Sequence, residues 1–344
     1  MGRHKSTKSL IQQVKETLDS KLAIGESKYL AKLNGTYMEH IYSWETYRSY
    51  LKHACYFVQW CKEQPIDPAL GHKPRTLEEC RVFAERWVQS SIDRNLSPFT
   101  VKLQVAALAK LYSCKSTDFD IMTPPRKRVN IKRSRRNDVA MDKHFSVTKN
   151  KDLITFCRCT GLRRAELSQI RGTDLIEHEG KLCLDVHKGT KGGRLRISEI
   201  CGTDEEVETV KRLCTEAGAN KIFNHVHKSA DIHSYRATYA KRIYEKYKRS
   251  YKEFKHERLI VYKNKVVASY ATKNGRRAPS KFPELYIKDE KGTRMLPGYK
   301  DISGAYYCRG DRKGEVFDSR SLFLVSSNLG HGRINVCCEF YLMT

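Results

Sequence analysis

Long apolar stretches are missing from the sequence. Its 344 residues contain no run of about 18 apolar residues, no signal-type apolar core and no basic amphipathic segment separate from the apparent core. Internal repeats and low-complexity tracts are absent as well. Neither a membrane protein nor a secreted protein is therefore expected, and we predict a soluble, cytoplasmic protein with no membrane partner.

Cysteine spacing of the kind that binds zinc is also missing. The chain has 12 cysteines but no Cys-x-x-Cys pair, and the shortest spacings are Cys157-x-Cys159 and the adjacent Cys337 and Cys338. Most of the cysteines fall within apolar patterns, as Cys55 does. We therefore expect buried thiols in a reducing compartment rather than a metal site or disulfides.

Acidic residues are scarce relative to basic ones. Lys and Arg number 65 against 39 Asp and Glu, which gives a formal net charge of +26. Solubility does not require a charge of this size, so we predict a polyanion partner and a nucleic-acid-binding protein. A chain of this length also exceeds one ordinary domain and suggests two.

Helical periodicity and capping signals dominate residues 1–120. Ser43 is placed to cap a helix, a capping box begins at Thr76, and Ser97 is followed by a first-turn proline. Each signal precedes apolar residues at helical spacing, so we predict a helical DNA-binding domain. The basic segment before Gly35 is either a further helix of this domain or a separate DNA-contacting arm.

Composition changes sharply after this domain. Residues 121–138 include two prolines, and the eleven positions 126–136 hold seven basic residues and no acidic one. Like charges repel one another unless an anion neutralises them, so we predict a linker that crosses a DNA backbone rather than a solvated tether or a localisation-like signal. The predicted DNA contacts are Arg126, Lys127, Arg128, Lys132, Arg133, Arg135 and Arg136.

Residues 139–344 mix helical and strand patterns. Alternation over 181–186 and 194–197, on either side of a basic, glycine-rich segment, predicts a β-hairpin, and 204–217 is typical of a helix. The stretch 241–318 is unusual, with 21 Lys and Arg against 10 Asp and Glu, and it contains short strand patterns. The predicted fold class is mainly α with a small β-sheet: a helical domain followed by a mixed α+β domain.

Three motifs follow one another in this second domain. They are Thr160-Gly161-Leu162-Arg163-Arg164-Ala165-Glu166-Leu167, at a turn followed by a predicted helix over 162–170, then His233-Ser234-Tyr235-Arg236, and finally Leu329-Gly330-His331 with Tyr341. Such residues suit the attack of a phenol on a phosphodiester, because guanidinium forks hold phosphate oxygens and imidazoles transfer protons near neutral pH. A lysine at the hairpin tip suits protonation of the departing 5′ oxygen.

These motifs, in this order, resemble those of the tyrosine recombinases, a family that includes phage integrases, Xer recombinases and integrases of conjugative transposons. The resemblance covers the whole chain: a helical core-binding domain, a basic linker and a catalytic domain in which 241–318 is an insertion. It implies catalysis through a 3′-phosphotyrosyl intermediate with no metal, ATP or other cofactor. The implied catalytic residues are Arg163, Lys188, His233, Arg236, His331 and Tyr341, with Glu166 in support and Lys191 in reserve for Lys188.

Several features depart from the family pattern. Nine residues separate His331 from Tyr341, one more than the commonest spacing, so the tyrosine helix is expected to be offset or bulged. Arg236 precedes Tyr341 by 105 positions, an excess that the insertion explains. Only residues 342–344 follow the tyrosine, where relatives usually carry an element that docks on the next protomer; either the chain is truncated or another segment performs that task.

Taken singly, each motif residue has a structural explanation, such as a surface charge for Arg163 or a satisfied buried histidine for His233. Their joint occurrence favours a site-specific recombinase that integrates or excises a mobile element, bacterial and nucleoid-associated. Its implied partners are double-stranded DNA, further copies of itself in dimers and tetramers, and an accessory directionality factor. The alternatives are a strand-nicking enzyme similar to type IB topoisomerases and a non-catalytic, architectural DNA-binding protein.

Overall fold

The structure, a computed structural model, describes residues 8–126, 145–263, 265–272, 282–289 and 292–342. The chain divides into two compact units, residues 1–132 and 133–344. Six of the predicted linker contacts lie outside the described residues: Lys127, Arg128, Lys132, Arg133, Arg135 and Arg136. The predicted linker bounds therefore stay a prediction.

The described part of the first unit is helical. Its helices are α1 (Leu10–Asp19), α2 (Lys28–Leu33), α3 (Trp44–Glu63), α4 (Leu77–Arg81), α5 (Ala84–Asp93) and α6 (Pro98–Leu111). The predicted caps are present: the Ser43 hydroxyl accepts from the Thr46 amide at 3.3 Å, and Thr76 forms a capping box with Glu79. The single helix predicted after Thr76 is divided, because a tight turn buries Phe83 in the core and ends α4.

Packing of the first unit decides between the two predictions for the N-terminal segment. Leu10, Val14 and Leu18 of α1 are buried in the core with apolar residues of α3 and α6. The segment therefore supplies a further helix of this domain. At the other end of the unit, Ile121 packs against the same core and the Arg126 guanidinium carbon lies 5.8 Å from the centre of the Phe99 ring.

The second unit combines helices with small antiparallel sheets, which confirms the predicted fold class. Its helices are α7 (Lys151–Thr160), α8 (Arg164–Leu167), α9 (Asp204–Ala217), α10 (Ile232–Tyr247), α11 (Tyr251–Phe254), α12 (Ser319–Asn328) and α13 (Asn335–Phe340). The predicted hairpin is part of a three-stranded sheet of β1 (Leu175–His178), β2 (Lys181–Val186) and β3 (Arg196–Glu199). The helix predicted over 162–170 is shorter in the structure, as α8.

The basic stretch 241–318 forms the last turns of α10, then α11 and seven strands within its described residues. The strands are β4 (Glu257–Tyr262), β5 (Lys265–Ala271), β6 (Tyr286–Asp289), β7 (Gly292–Met295), β8 (Tyr299–Ser303), β9 (Ala305–Tyr307) and β10 (Val316–Asp318). They pair as β5-β4-β8, β6-β7 and β9-β10, all antiparallel. Arg249 ties the stretch to the N-terminus of α12, since it donates to both carboxylate oxygens of the buried Asp318 at 2.8 Å.

All 12 cysteines are free thiols, and nine of them are buried. Among the described residues, no helix is both long enough and apolar enough to cross a membrane. The same residues contain no group of three or more His, Cys, Asp or Glu that could hold a metal ion.

Candidate active site

A cavity of about 940 Å³ in the second unit brings together most of the predicted catalytic residues. Arg163, His233, Arg236, His331 and Tyr341 all line it. They come from the start of α8, the first turns of α10, the α12–α13 loop and the end of α13. Residues far apart in sequence therefore meet in one chain.

Arg163 is placed by a sharp turn between α7 and α8. Gly161 ends α7 with φ of +59°, and a Cβ at this position would lie 2.2 Å from the Tyr239 ring, so only glycine fits. The chain then reverses, and Arg163 precedes α8. Its backbone amide and its guanidinium both donate to Glu166, at 2.7 and 2.8 Å.

Glu166 is buried, with 1% of its surface exposed, and carries a second arginine partner. Arg196 on β3 donates to both of its carboxylate oxygens at 2.8 Å. Burial raises the pKa of Glu166, but the hydrogen bonds and charge of Arg196, followed by those of Arg163, outweigh burial and lower it to about 2. The carboxylate is therefore ionised at neutral pH and fixes Arg163.

The sequence did not predict Arg196 as a residue of the site, because the buried and exposed positions around it are the reverse of those expected from hydrophobic alternation. Leu195 is 69% exposed, whereas Arg196 is only 8% exposed. An arginine that alternates with an exposed leucine is normally assigned to the solvent side. The available signal was the acidic residue of the first motif, Glu166, because a carboxylate buried this deeply needs more cationic partners than Arg163 alone.

The turn before His331 is held by three arginines. The carbonyl oxygens of residues 328, 329 and 330 accept, in that order, from Arg196 Nε at 2.8 Å, Arg236 Nη2 at 3.0 Å and Arg163 Nη2 at 3.1 Å. Residue 330 is a glycine with φ of +65°, and a Cβ there would lie 2.9 Å from Arg196 Nη1. The arginines thus fix the loop that carries the second histidine.

His331 lies between an arginine and the tyrosine. Its Nε2 is 3.4 Å from Arg236 Nη2, and its ring centre is 5.3 Å from that of Tyr341. Burial, followed by the charges of Arg236 and Arg163, lowers the pKa of His331 to about 3. The imidazole is therefore neutral at pH 7 and is available for a hydrogen bond rather than for proton uptake.

Arg236 and Tyr341 form the buried part of the cavity, with exposures of 1% and 5%. The guanidinium carbon of Arg236 lies 5.5 Å from the centre of the Tyr341 ring. Arg236 Nη1 donates to the carbonyl of Gly161, and within the described residues its Nε is buried without a hydrogen-bond partner. An anion that enters the cavity would supply the acceptor that this donor lacks.

The hairpin tip contributes Lys191 to the cavity. Lys191 begins a short 3₁₀ helix, Lys191–Gly193, in the β2–β3 connection and lines the cavity, as Arg194 does. Lys188 is exposed in the same connection and is absent from the lining residues described here. The structure therefore brings Lys191, the reserve, rather than Lys188, the first choice, to the other residues predicted to be catalytic.

Further basic residues of the cavity were not singled out from the sequence as functional. Arg164, Arg194 and Arg333 line it. The Arg164 guanidinium donates to four carbonyls of the segment before α10, at residues 226, 227, 228 and 230. This arginine positions the segment that leads into His233 and Arg236.

Comparison with known proteins gave structural neighbours only. A scan against protein-family models and a search of curated proteins found no match. Solved structures similar to this chain include the Tn1549 transposon integrase in complex with circular intermediate DNA, at 16% identity over 70% of this chain and 88% of that chain, with a TM-score of 0.34.

The same integrase in complex with transposon right-end DNA is similar at 15% identity over 70% of this chain and 88% of that chain, with a TM-score of 0.33. The XerA recombinase is similar at 17% identity over 66% and 83% of the two chains, with a TM-score of 0.19. All three TM-scores are low, so the functional proposal rests on the residues that line the cavity.

Proposed function

We propose that this protein is a tyrosine-type site-specific recombinase that cuts and rejoins double-stranded DNA to integrate or excise a mobile element. One observation carries the proposal: a single cavity joins a buried tyrosine to two arginines and two histidines. This set supplies a nucleophile, cations for the non-bridging oxygens and groups that accept a proton.

In the proposed reaction, the Tyr341 phenol oxygen attacks the phosphorus, a bond forms between them, and the bond from phosphorus to the 5′ oxygen breaks. Arg163 and Arg236 stabilise the charge that develops on the phosphoryl oxygens. His331, which is neutral, contacts the phosphate by hydrogen bonding, and His233 contacts the phosphate and accepts the phenol proton. The product is a 3′-phosphotyrosyl link and a free 5′ hydroxyl.

The leaving 5′ oxygen needs a proton donor. Lys188 was the residue that the family resemblance implied, whereas Lys191 lines the cavity beside Arg194. We therefore assign the proton donation to Lys191. Lys188, on the exposed side of the same connection, is assigned a contact with the DNA phosphate backbone. Replacing each lysine separately should therefore change the rate of DNA cleavage by different amounts.

Partners follow from the charge and from the proposed reaction. The formal charge of +26 favours DNA, and recombination joins two sites, so we expect dimers and tetramers on DNA and an accessory directionality factor. We expect the protein in the bacterial cytoplasm with the nucleoid. The basic stretch 241–318, with a net charge of 21 − 10 = +11, is proposed to contact DNA or a neighbouring protomer.

The test is the replacement Tyr341→Phe. This variant should bind DNA as the unchanged protein does, because the phenol oxygen is the only atom lost. It should form no covalent adduct with nicked duplexes that carry the ends of the element, in buffer without metal. Adducts that persist in Tyr341→Phe would contradict the choice of nucleophile.

A nicking-closing enzyme is the second candidate, since the attack of a tyrosine held by arginines and histidines suits that reaction as well. Relaxation of any supercoiled plasmid, without a specific site, would favour it. A non-catalytic architectural protein is disfavoured because every residue type expected for catalysis is present in the sequence.

A further inference from the structure

Arg312 reaches from the basic stretch to the helix that carries the tyrosine. It ends the short 3₁₀ helix Gly310–Arg312 between β9 and β10, and only 9% of its surface is exposed. Its Nη1 donates to the carbonyl of Cys338 at 2.7 Å and to that of Leu342 at 3.0 Å. These two carbonyls flank Tyr341 in the chain.

Helix α13 ends irregularly at the tyrosine. The amides of Tyr341 and Leu342 both donate to the carbonyl of Cys337, at 3.0 and 2.9 Å. A regular α-helix would pair the Leu342 amide with the Cys338 carbonyl instead. Arg312 supplies a donor to that carbonyl and places a positive charge at the C-terminal end of the helix, where carbonyl dipoles favour it.

Arg312 is itself held rigidly. Its Nε and Nη2 donate to the two carboxylate oxygens of Glu315, and its guanidinium carbon lies 5.1 Å from the centre of the Phe317 ring. Cys308, from the same segment, belongs to the apolar cluster that contains Tyr341 and Leu342. The segment around Arg312 and the end of α13 therefore pack directly against each other.

We propose that Arg312 is a positioning residue that fixes Tyr341 in the cavity of its own chain, so that the inserted stretch controls the attack of the nucleophile. The inference rests on the proposed function. Arg312 is buried and is not among the described residues that line the cavity, so we infer that it acts through the two carbonyls on either side of the tyrosine. Displacement of a reacting group by about 1 Å is enough to slow a reaction about 100-fold.

Four proteins test the inference: the unchanged chain, Arg312→Ala, Arg312→Lys and Arg309→Ala. Arg309 is a matched control because it is an exposed arginine of the same segment, three residues away. We would measure the single-turnover rate of adduct formation at saturating protein on a nicked duplex from the element's ends, together with the dissociation constant for the same DNA.

Arg312→Ala should form adduct about 100-fold more slowly with unchanged DNA affinity. Arg312→Lys, which keeps the charge and donors to the carbonyls but loses the paired contact with Glu315, should recover part of the rate. Arg309→Ala should keep the rate of the unchanged protein at saturating protein, whatever its effect on DNA affinity. A purely structural role would lower DNA affinity and rate together. Equal rates for Arg312→Ala and Arg309→Ala would overturn the inference.

Amide hydrogen exchange of Tyr341 and Leu342 provides a readout that needs no activity. Exchange at these amides should accelerate in Arg312→Ala and not in Arg309→Ala, while the rest of the second unit stays protected. If the unchanged protein formed no adduct but exchange changed as expected, the proposed function would fail and the contact would stand. If Arg312→Ala failed to fold, Arg312→Met decides, because this side chain fills similar space but has no donor: exchange and rate equal to those of the unchanged protein would reject a need for the two-carbonyl contact.

Discussion

Glu166 pairs with Arg163, which lines the cavity, and with Arg196 on β3. The family resemblance identified Glu166 as a supporting residue, and local spacing explains its contact with Arg163 three positions earlier. Arg196 lies 30 positions away, and only folding shows that its side chain is buried. A sequence pattern assigns such a residue to the surface, because a buried cation is uncommon and is stable only with a partner.

The contacts of Glu166 with its two arginines predict how the stability of the second unit depends on pH. The folded-state pKa of Glu166, about 2, lies below its ordinary value of 4.5, so its stabilisation is complete above pH 4.5 and is lost as the pH falls toward 2. The difference corresponds to about 3 kcal/mol. Glu166→Gln should therefore lower the free energy of unfolding of the second unit by about this amount at pH 7 and flatten its acid dependence below pH 4.5.

Amide hydrogen exchange of the second unit is the suitable measurement, because all three tryptophans lie in the first unit. Tryptophan fluorescence then serves as an internal control that should not change. Glu216→Gln is the matched variant, since this glutamate forms an exposed pair with Arg212 and should contribute little. Equal effects of the two substitutions would contradict the role of the buried pair.

The hairpin shows what sequence patterns decide at the scale of an element. Alternating residues correctly predicted β2 and the first half of β3, with a basic glycine-rich connection between them; the predicted second strand, 194–197, begins two residues before β3 and ends two residues early. Which lysine of the connection lines the cavity depends on the short helix Lys191–Gly193, and an alternating pattern does not predict such a helix. The assignment of Lys188 by motif position therefore differs from the placement of Lys191 in the cavity.

Lys191→Ala should slow cleavage by about 100-fold or more, the usual effect of losing a general acid, whereas Lys188→Ala should change it little. A substrate with sulfur in place of the 5′ bridging oxygen has a better leaving group and should restore the rate of Lys191→Ala. The measurement is single-turnover cleavage of both substrates by both variants. If the sulfur substrate restored the rate of Lys188→Ala and not that of Lys191→Ala, Lys188 would be the proton donor.

The sequence predicted where a helix begins when the capping residue directly precedes that helix. Ser43, Thr76 and Ser97 each begin a helix as predicted, and α9 has the bounds expected from its pattern. The break between α4 and α5 was not foreseen, because burial of Phe83 in the core decides it. Likewise, the C-terminal end of α13 depends on Arg312, whose distance in sequence hides the contact.

At the scale of the whole molecule, composition indicated two units and a polyanion partner, and the structure divides into two units. Only the family resemblance predicted that the three motifs would meet in one cavity, since charge and periodicity carry no information on which motifs lie together. The strand order of the basic stretch was beyond prediction, because its short strands pair across loops of variable length.

The basic linker predicts a salt effect. Replacement of its seven basic residues by glutamine should weaken DNA binding across unrelated sequences and reduce the slope of log affinity against log salt by about 0.9 per lost phosphate contact. Binding titrations at several salt concentrations measure the slope. The Tyr341→Phe variant is the control and should keep it. An unchanged slope would show that the linker does not contact the backbone.

The proposal as a whole is tested by mass spectrometry of the protein after incubation with nicked duplex ends in buffer without metal, followed by denaturation and proteolysis. We expect one modified peptide, with a nucleotide joined through a 3′ phosphate to the Tyr341 oxygen. A link at another residue would contradict the choice of nucleophile, and tight DNA binding without any covalent link would contradict the proposed chemistry.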